Sequence, residues 1–438
     1  MKTNKDLPEK ATSFRWLIFL IFASAYFFVY FHRLSLSVIA EDLVKDFRTT
    51  AGTIGVMGSL YFFCYAIMQF PAGMLSDSLG PRKTTTISLL IASVGCFIFG
   101  FSPNVEVAIA GRVVVGLGVS MVFVSTLKVL SLWFRIGEFA LMVGLLNAVG
   151  GIALLSATWP FALMTELLGW RMSFKLIGIA TLVLVGLVWF VVRDAPSDKG
   201  PLFSEEGDSD CGGPTAQKKI GFWEAACFVI SEKYFWPLAI WFFFNCGIFF
   251  GFGALWAGPY LMHIYRMTKA EAGAILSTMA WGLLGGGPLM GLLSEKLFKS
   301  RKKLILLSAA ILSIELIFLN IFPSNLSRAI LPLLFLIFSI SASSIAVIGF
   351  TATKELFPLE IAGTSVGIVN LFPFLGGAVF MPLLGYVLDS YPKSLEGTYS
   401  VEAYSSVLLI LLGASVVSLG CSFLMKDTFP NKEMGAIT

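Results

Sequence analysis

Apolar residues do not alternate with polar ones along this chain; they fill whole windows. A helix needs about twenty apolar residues to cross a hydrocarbon core, and blocks of that kind can be drawn at 14–39, 52–75, 83–102, 107–130, 138–163 and 172–192. A second set of six follows at 234–261, 270–294, 303–322, 328–351, 361–388 and 402–425. Between the sets, residues 194–219 are rich in Asp, Ser, Gly and Pro, lack apolar periodicity, and read as a flexible linker. The stretch Ile220–Lys233 then mixes Phe222, Trp223, Ala226 and Phe228 with Glu224, Glu232 and Lys233. That pattern suits a short helix lying along the membrane surface or an extension of the seventh helix. The expected architecture is an all-α membrane protein of twelve transmembrane helices in two six-helix bundles. Residues 1–193 form one half, 194–233 the linker, and 234–438 the other half.

Composition agrees with this reading. The chain is 57% hydrophobic and 13% charged, against roughly 25% charged for a soluble domain, so lipid must cover much of its surface. Lys2, Lys5, Lys10 and Arg15 precede the first apolar block, which is too long for a signal peptide and reads as a retained helix. The net charge of +4 comes from short clusters between blocks; no basic face forms, which excludes a nucleic-acid partner. Six scattered cysteines form no metal or redox spacing and read as small core residues. Of the 31 Lys and Arg residues, 21 fall on the side that holds the N-terminus and linker, 8 on the opposite side, and Arg33 and Arg112 within blocks. By the positive-inside rule both termini and the linker are expected in the cytoplasm of a plasma (inner) membrane protein.

Several motif matches carry no chemistry. Gly363-Thr364-Ser365-Val366-Gly367 fits the hydrolase nucleophile pattern, but that pattern needs a strand before it, and this stretch opens an apolar block. Asn325-Leu326-Ser327 is a glycosylation sequon on an outer loop. No glycine loop that could cradle ATP phosphates is present, and only His32 and His263 could serve a histidine metal site. Neither catalysis, nor a cofactor, nor a metal is expected.

After the second block comes Gly73-Met74-Leu75-Ser76-Asp77-Ser78-Leu79-Gly80-Pro81-Arg82-Lys83. A tight turn between crowded helices uses glycine, and the carboxylate can pair with the arginine across it. The second half repeats the pattern in worn form as Gly291, Glu295, Lys296, Arg301 and Lys302, an offset of 218 positions from Gly73 to Gly291. Gly144-x-x-Asn147 echoes in Gly367-x-x-Asn370 at an offset of 223. Two echoes at nearly one offset point to duplicated halves.

The string from Gly73 resembles the signature of the major facilitator superfamily, although Ser78 stands where that family usually has a basic residue. Arg112-Val-Val-Val-Gly116-Leu-Gly118 and Gly169-Trp170-Arg171 resemble further signatures of it. The resemblance spans Trp16 to about Met425. It implies a transport protein whose halves rock about a midplane site, with Gly73, Asp77, Gly80, Arg82, Arg112, Glu295 and Arg301 as hinge and gating residues.

Arg33, in Tyr30-Phe31-His32-Arg33, is the most informative residue. An arginine inside a membrane helix costs about 2.5–3.5 kcal/mol on insertion scales, and an anion beside it offsets that cost. The alternative is an arginine that snorkels to the outer interface. The segment Trp16–Arg33 resembles the first helix of organophosphate antiporters and organic-anion facilitators, which implies an anion-binding role. The second arginine that those antiporters carry in helix 7 is missing here, which favours one carboxylate over a doubly charged phosphate. His32, Asn147, Asn245, Trp256, Tyr260 and Asn370, with Gln69, fall on helices that line the cavity in that family and are expected to bind polar substrate groups. Glu315, near the middle of the ninth block, is expected to have a buried partner.

The function expected is secondary active transport of a small polar solute bearing a carboxylate, an organic acid or sugar acid. Amino acids or short peptides are the rival, and a transporter-like solute sensor is the reading of another class. The expected partners are that solute, a coupling ion (proton or sodium) or a counter-substrate, and the lipid bilayer, with the chain acting as a monomer.

Overall fold

The computed structural model describes residues 9–134, 136–194, 222–358, 361–394 and 397–429, and every regular element among them is helical. In the first half these are α1 (Glu9–Phe47), α2 (Ala51–Leu79), α3 (Pro81–Gly100), α4 (Val105–Ser120), α5 (Val122–Trp133), α6 (Ile136–Ser156) and α7 (Trp159–Val191). The short α8 (Phe222–Ser231) precedes the second half, and a turn through residues 232–234 separates it from the helix that follows. The second half comprises α9 (Phe235–Ile248), α10 (Ala257–Ile264), α11 (Lys269–Leu292), α12 (Arg301–Ile321), α13 (Leu331–Ser339), α14 (Ala346–Leu356), α15 (Ala362–Val369), α16 (Leu371–Asp389) and α17 (Val401–Leu424).

Eleven helical stretches are long and apolar enough to cross a membrane, and Leu141–Ser156 is a shorter apolar helix. The gap between eleven and the expected twelve lies at Gly169. Its φ of 75° breaks α7 into two helices, a conformation open to glycine because it lacks a Cβ. The part before Gly169 prolongs α6 as the fifth crossing, and the part after it forms the sixth. The expected fifth helix therefore runs past residue 163, to the break. Polar caps set other ends: Thr50, Asn104, Ser300 and Ser400 accept the free N–H groups of α2, α4, α12 and α17, and Thr268 with Glu271 forms a capping box on α11.

Within each half, small residues let helices approach closely, as membrane packing requires; a Cβ on Gly95 of α3 would fall 2.6 Å from the backbone nitrogen of Val115 on α4. Between the halves, α2 lies along α16, and α1 against α10. Polar contacts gather at one end of this seam. Asp389 accepts the N–H groups of Ala51 (3.0 Å) and Gly52 (2.6 Å), capping α2 from the other half. Lys269 pairs with Asp42 at 2.5 Å, Ser37 Oγ accepts the Gly258 N–H at 3.2 Å, and Glu166 accepts the Ala270 N–H at 3.1 Å. At the opposite end, which carries Gly80 and Asp194, α5, α14 and α15 pack chiefly within their own halves. The halves are thus joined at the end away from the linker.

Candidate functional site

Tyr26, Tyr30 and Arg33 follow one another on α1 at the i, i+4, i+7 spacing that places side chains on one helix face. Arg33 is 7% exposed, so it does not snorkel to an interface. Its guanidinium carbon lies 4.3 Å from the Tyr30 ring, 5.0 Å from Tyr65 on α2 and 5.2 Å from Phe374 on α16, a residue of the other half. Such ring contacts contribute about 0.5–2 kcal/mol each, yet they do not take up every N–H donor. The Nε finds no hydrogen-bond partner. Among the described residues no carboxylate lies within ion-pair distance of Arg33; the titratable groups around it are Tyr26, Tyr30, Tyr61 and Tyr65.

Polar side chains stand on the linker side of this cage. Gln69 is one turn beyond Tyr65, and its Nε2 donates to the Tyr65 carbonyl at 3.4 Å. Asn147 is exposed on α6, one turn from Gly150, which abuts the Tyr30 ring. Asn370 sits at the break between α15 and α16, one turn before Phe374 and half-buried.

The other expected ligands are placed differently. His32 is buried between α1, α3 and α7, with Nε2 3.6 Å from Cys96 Sγ and its ring stacked on Phe174, so it faces the core of its own half. Asn245 donates to the Ala342 carbonyl at 2.7 Å, Trp256 to the Met381 carbonyl at 2.9 Å, and Tyr260 to the Pro323 carbonyl at 2.6 Å. Each of these bonds lies within the second half, the first two of them buried. The backbone widens into π-helix at 249–256 and 340–344, and Asn245 and Ser308 hold carbonyls of the second of these stretches. Glu315 is buried, but its Oε2 finds no partner, which corrects the expectation of one.

Of the expected gating residues, Arg82 donates through Nε (3.1 Å) and Nη2 to the Trp189 carbonyl, while its backbone N–H is capped by Asp194. Gly80 turns the chain with φ 83°, and a Cβ there would fall 3.0 Å from the Asp194 carboxylate. The second half repeats this device, because Asp427 accepts the Arg301 N–H at 3.0 Å. Arg301 also pairs with Glu295 at 2.6 Å and Glu355 at 2.9 Å, so the carboxylate–arginine pairing is visible in the worn copy. The side chains of Gly73 and Asp77 lie outside the described residues. Arg112 is buried, donates to the His32 carbonyl at 3.1 Å and lies over the Tyr61 ring. It ties α4 to α1.

Sequence reasoning found Arg33 and passed over the rings around it. The signal was present as two pairs four residues apart, Tyr26 with Tyr30 and Tyr61 with Tyr65. Phe374 had no such signal, since only the fold brings α16 to α1.

The Major Facilitator Superfamily model matches residues 20–258 and 238–434. The "Probable galactarate/D-glucarate transporter GarP" of Escherichia coli (strain K12) is 24% identical over 96% of this chain and 94% of its own length. The "Probable sulfoacetate transporter SauU" of Cupriavidus necator is 22% identical, covering 97% of each chain. The "D-galactonate transporter" of Escherichia coli O6:H1 is 24% identical over 95% of this chain and all of its own length. Among solved structures, a bacterial homolog of the human lysosomal transporter Spinster superposes with a TM-score of 0.74 at 16% identity, covering 94% of this chain and 96% of that one. A D-xylose–proton symporter does so at 0.71 and 14%, covering 94% and 98%. With the family match running almost from end to end, this chain belongs to the major facilitator superfamily of secondary transporters.

Proposed function

We propose that this transporter carries a small anion with one carboxylate and several hydroxyls, of the sugar-acid type, and that Arg33 holds the carboxylate. The observation that carries the reading is a buried arginine, set in rings, with no acid beside it among the described residues. A guanidinium grips a carboxylate through two parallel hydrogen bonds, and the hydroxyls of Tyr30 and Tyr65, with Gln69, Asn147 and Asn370, supply partners for a polyol. The name of the D-galactonate relative supports the same class, and galactarate and D-glucarate share the polyol chain but carry a second carboxylate. A zwitterionic amino acid fits less well, since among the described residues no carboxylate lies within ion-pair distance of Arg33 to receive its ammonium. A sulfonate is the second reading, favoured by the sulfoacetate relative. The chain lacks an ATP-cradling loop in its sequence, and an ion gradient is the driving force in this reading. The linker end is then the cytoplasmic end, because the basic clusters concentrate there.

Purified protein in sealed vesicles tests this directly. It should accumulate a labelled sugar acid under an imposed ion gradient, with competition from other hydroxylated carboxylates and none from neutral sugars. Equal competition by neutral sugars would remove Arg33 from the site, and binding without accumulation would make the chain a sensor.

A further inference from the structure

The seam between the halves contains a titratable contact that substrate binding does not use. Glu41 on α1 and His263 on α10 belong to opposite halves, and His263 Nε2 lies 2.7 Å from Glu41 Oε1. The N–H direction of the ring misses that oxygen, which has no aligned hydrogen bond. The strength of this close contact depends on whether the ring carries a charge. The other ring nitrogen, Nδ1, lies 3.0 Å from the Tyr404 hydroxyl on α17, which fixes the orientation of the ring. Glu41, His263, Lys45, Trp256, Lys393 and Tyr399 line a cavity of about 110 Å³ at this end.

The groups facing the pair come from every element around it. On α1, Lys45 lies 3.5 Å from the second oxygen of Glu41, and Asp42 is taken up by Lys269 of α11. Tyr404 approaches from α17, with Tyr260 packed on its ring. Before α17, Tyr399 places its ring 5.9 Å from His263 and donates its hydroxyl to Asp389, while Lys393 lies over that ring. Burial and the Asp389 carboxylate push the Tyr399 hydroxyl's pKa up, away from neutrality. Histidine is the group in this set whose ordinary titration falls between pH 5 and 8.

We propose that His263 is a proton-operated latch, in which a proton taken up by its ring strengthens the attraction to Glu41 and holds the halves together at the end away from the linker. A proton that binds the joined state more tightly than the parted state must favour joining by mass action. The sign follows: acid closes this end, and alkali frees it. Lys45 already offsets part of the Glu41 charge, so the effect is graded rather than all-or-none.

Spin labels at Pro103→Cys and Asn325→Cys, exposed positions on loops at that end of the two halves, would report the separation in an otherwise cysteine-free chain. Between about pH 8 and about pH 5.5, the window of histidine titration, the ratio of short to long distances should rise. The expected rise is about fivefold, the weight of a partly exposed ion pair. His263→Gln and Glu41→Gln should each flatten that response. A parent chain whose distances ignore pH, or a His263→Gln chain that responds as the parent does, would overturn the latch. No solute enters the measurement, so its outcome is independent of what Arg33 binds.

Discussion

Arg33 was legible as a candidate site residue because cost singles it out: a charge in an apolar helix demands compensation. Its compensation is aromatic in this structure, and the rings offset the charge without taking up the Nε–H, which is left for a ligand's oxygen. Hydrogen bonds to charged groups are worth about 1.5–3 kcal/mol, so Arg33→Ala should weaken anion binding by about tenfold to a hundredfold. Arg33→Lys should keep the charge, lose the planar grip and fall between the two. Calorimetric titration with a sugar acid would measure this, with insertion and thermal stability largely unchanged; parent-like binding in both variants would end the anion assignment. The same reasoning could not place Asn245, Trp256 or Tyr260. In helices that are apolar on all sides the 3.6-residue period carries no signal, so membership of a lining helix was known while the face was not. Those three bond to carbonyls within their own half. His32, one residue from Arg33, is turned about 100° away around the helix, which is enough to bury it against Cys96.

At the scale of elements, the duplicated halves could be read from two sequence echoes, but the seam between them could not. Echoes report how each half is built, whereas the α2–α16 contact joins positions more than 300 residues apart and leaves no periodic trace. What the seam requires is small residues at the crossing. A Cβ on Gly55 would fall 2.5 Å from the Met381 carbonyl oxygen and 2.6 Å from the Pro382 Cα, and one on Gly385 would fall 2.5 Å from the Ala51 carbonyl oxygen. These obstacles are backbone atoms, so neither helix can yield by turning a side chain. Gly55→Ala and Gly385→Ala should each disfavour the joined state and slow uptake by about tenfold or more, a cost of the size that overpacking brings. Gly144→Ala serves as the control, because nothing lies within 4 Å of a Cβ there; its uptake should match the parent's. If all three variants transport alike, the α2–α16 contact is not part of the cycle.

At the scale of the whole molecule, the two ends differ in what they must do. One end is fastened by contacts from Asp389, Lys269, Glu166 and His263 across the seam. The other carries Arg82, Lys128, Lys296, Lys302, Lys303, Lys354 and Lys426, whose helices lie mostly within separate halves. Basic residues resist transfer across a bilayer, so in the proposed topology the end that holds more of them is the one expected on the side of synthesis. In the topology proposed above, with an even number of crossings, both termini and the linker are expected at that same end. Cys211, in the linker, converts this into a measurement. In a chain whose only cysteine is Cys211, a membrane-impermeant maleimide applied to intact cells should leave it unlabelled, and permeabilised cells should label fully. A chain whose only cysteine is introduced by Asn325→Cys, on the loop between α12 and α13, should show the reverse contrast, labelling in intact cells. Labelling of Cys211 from outside would invert the molecule, and the fastened end would then close against the cytoplasm.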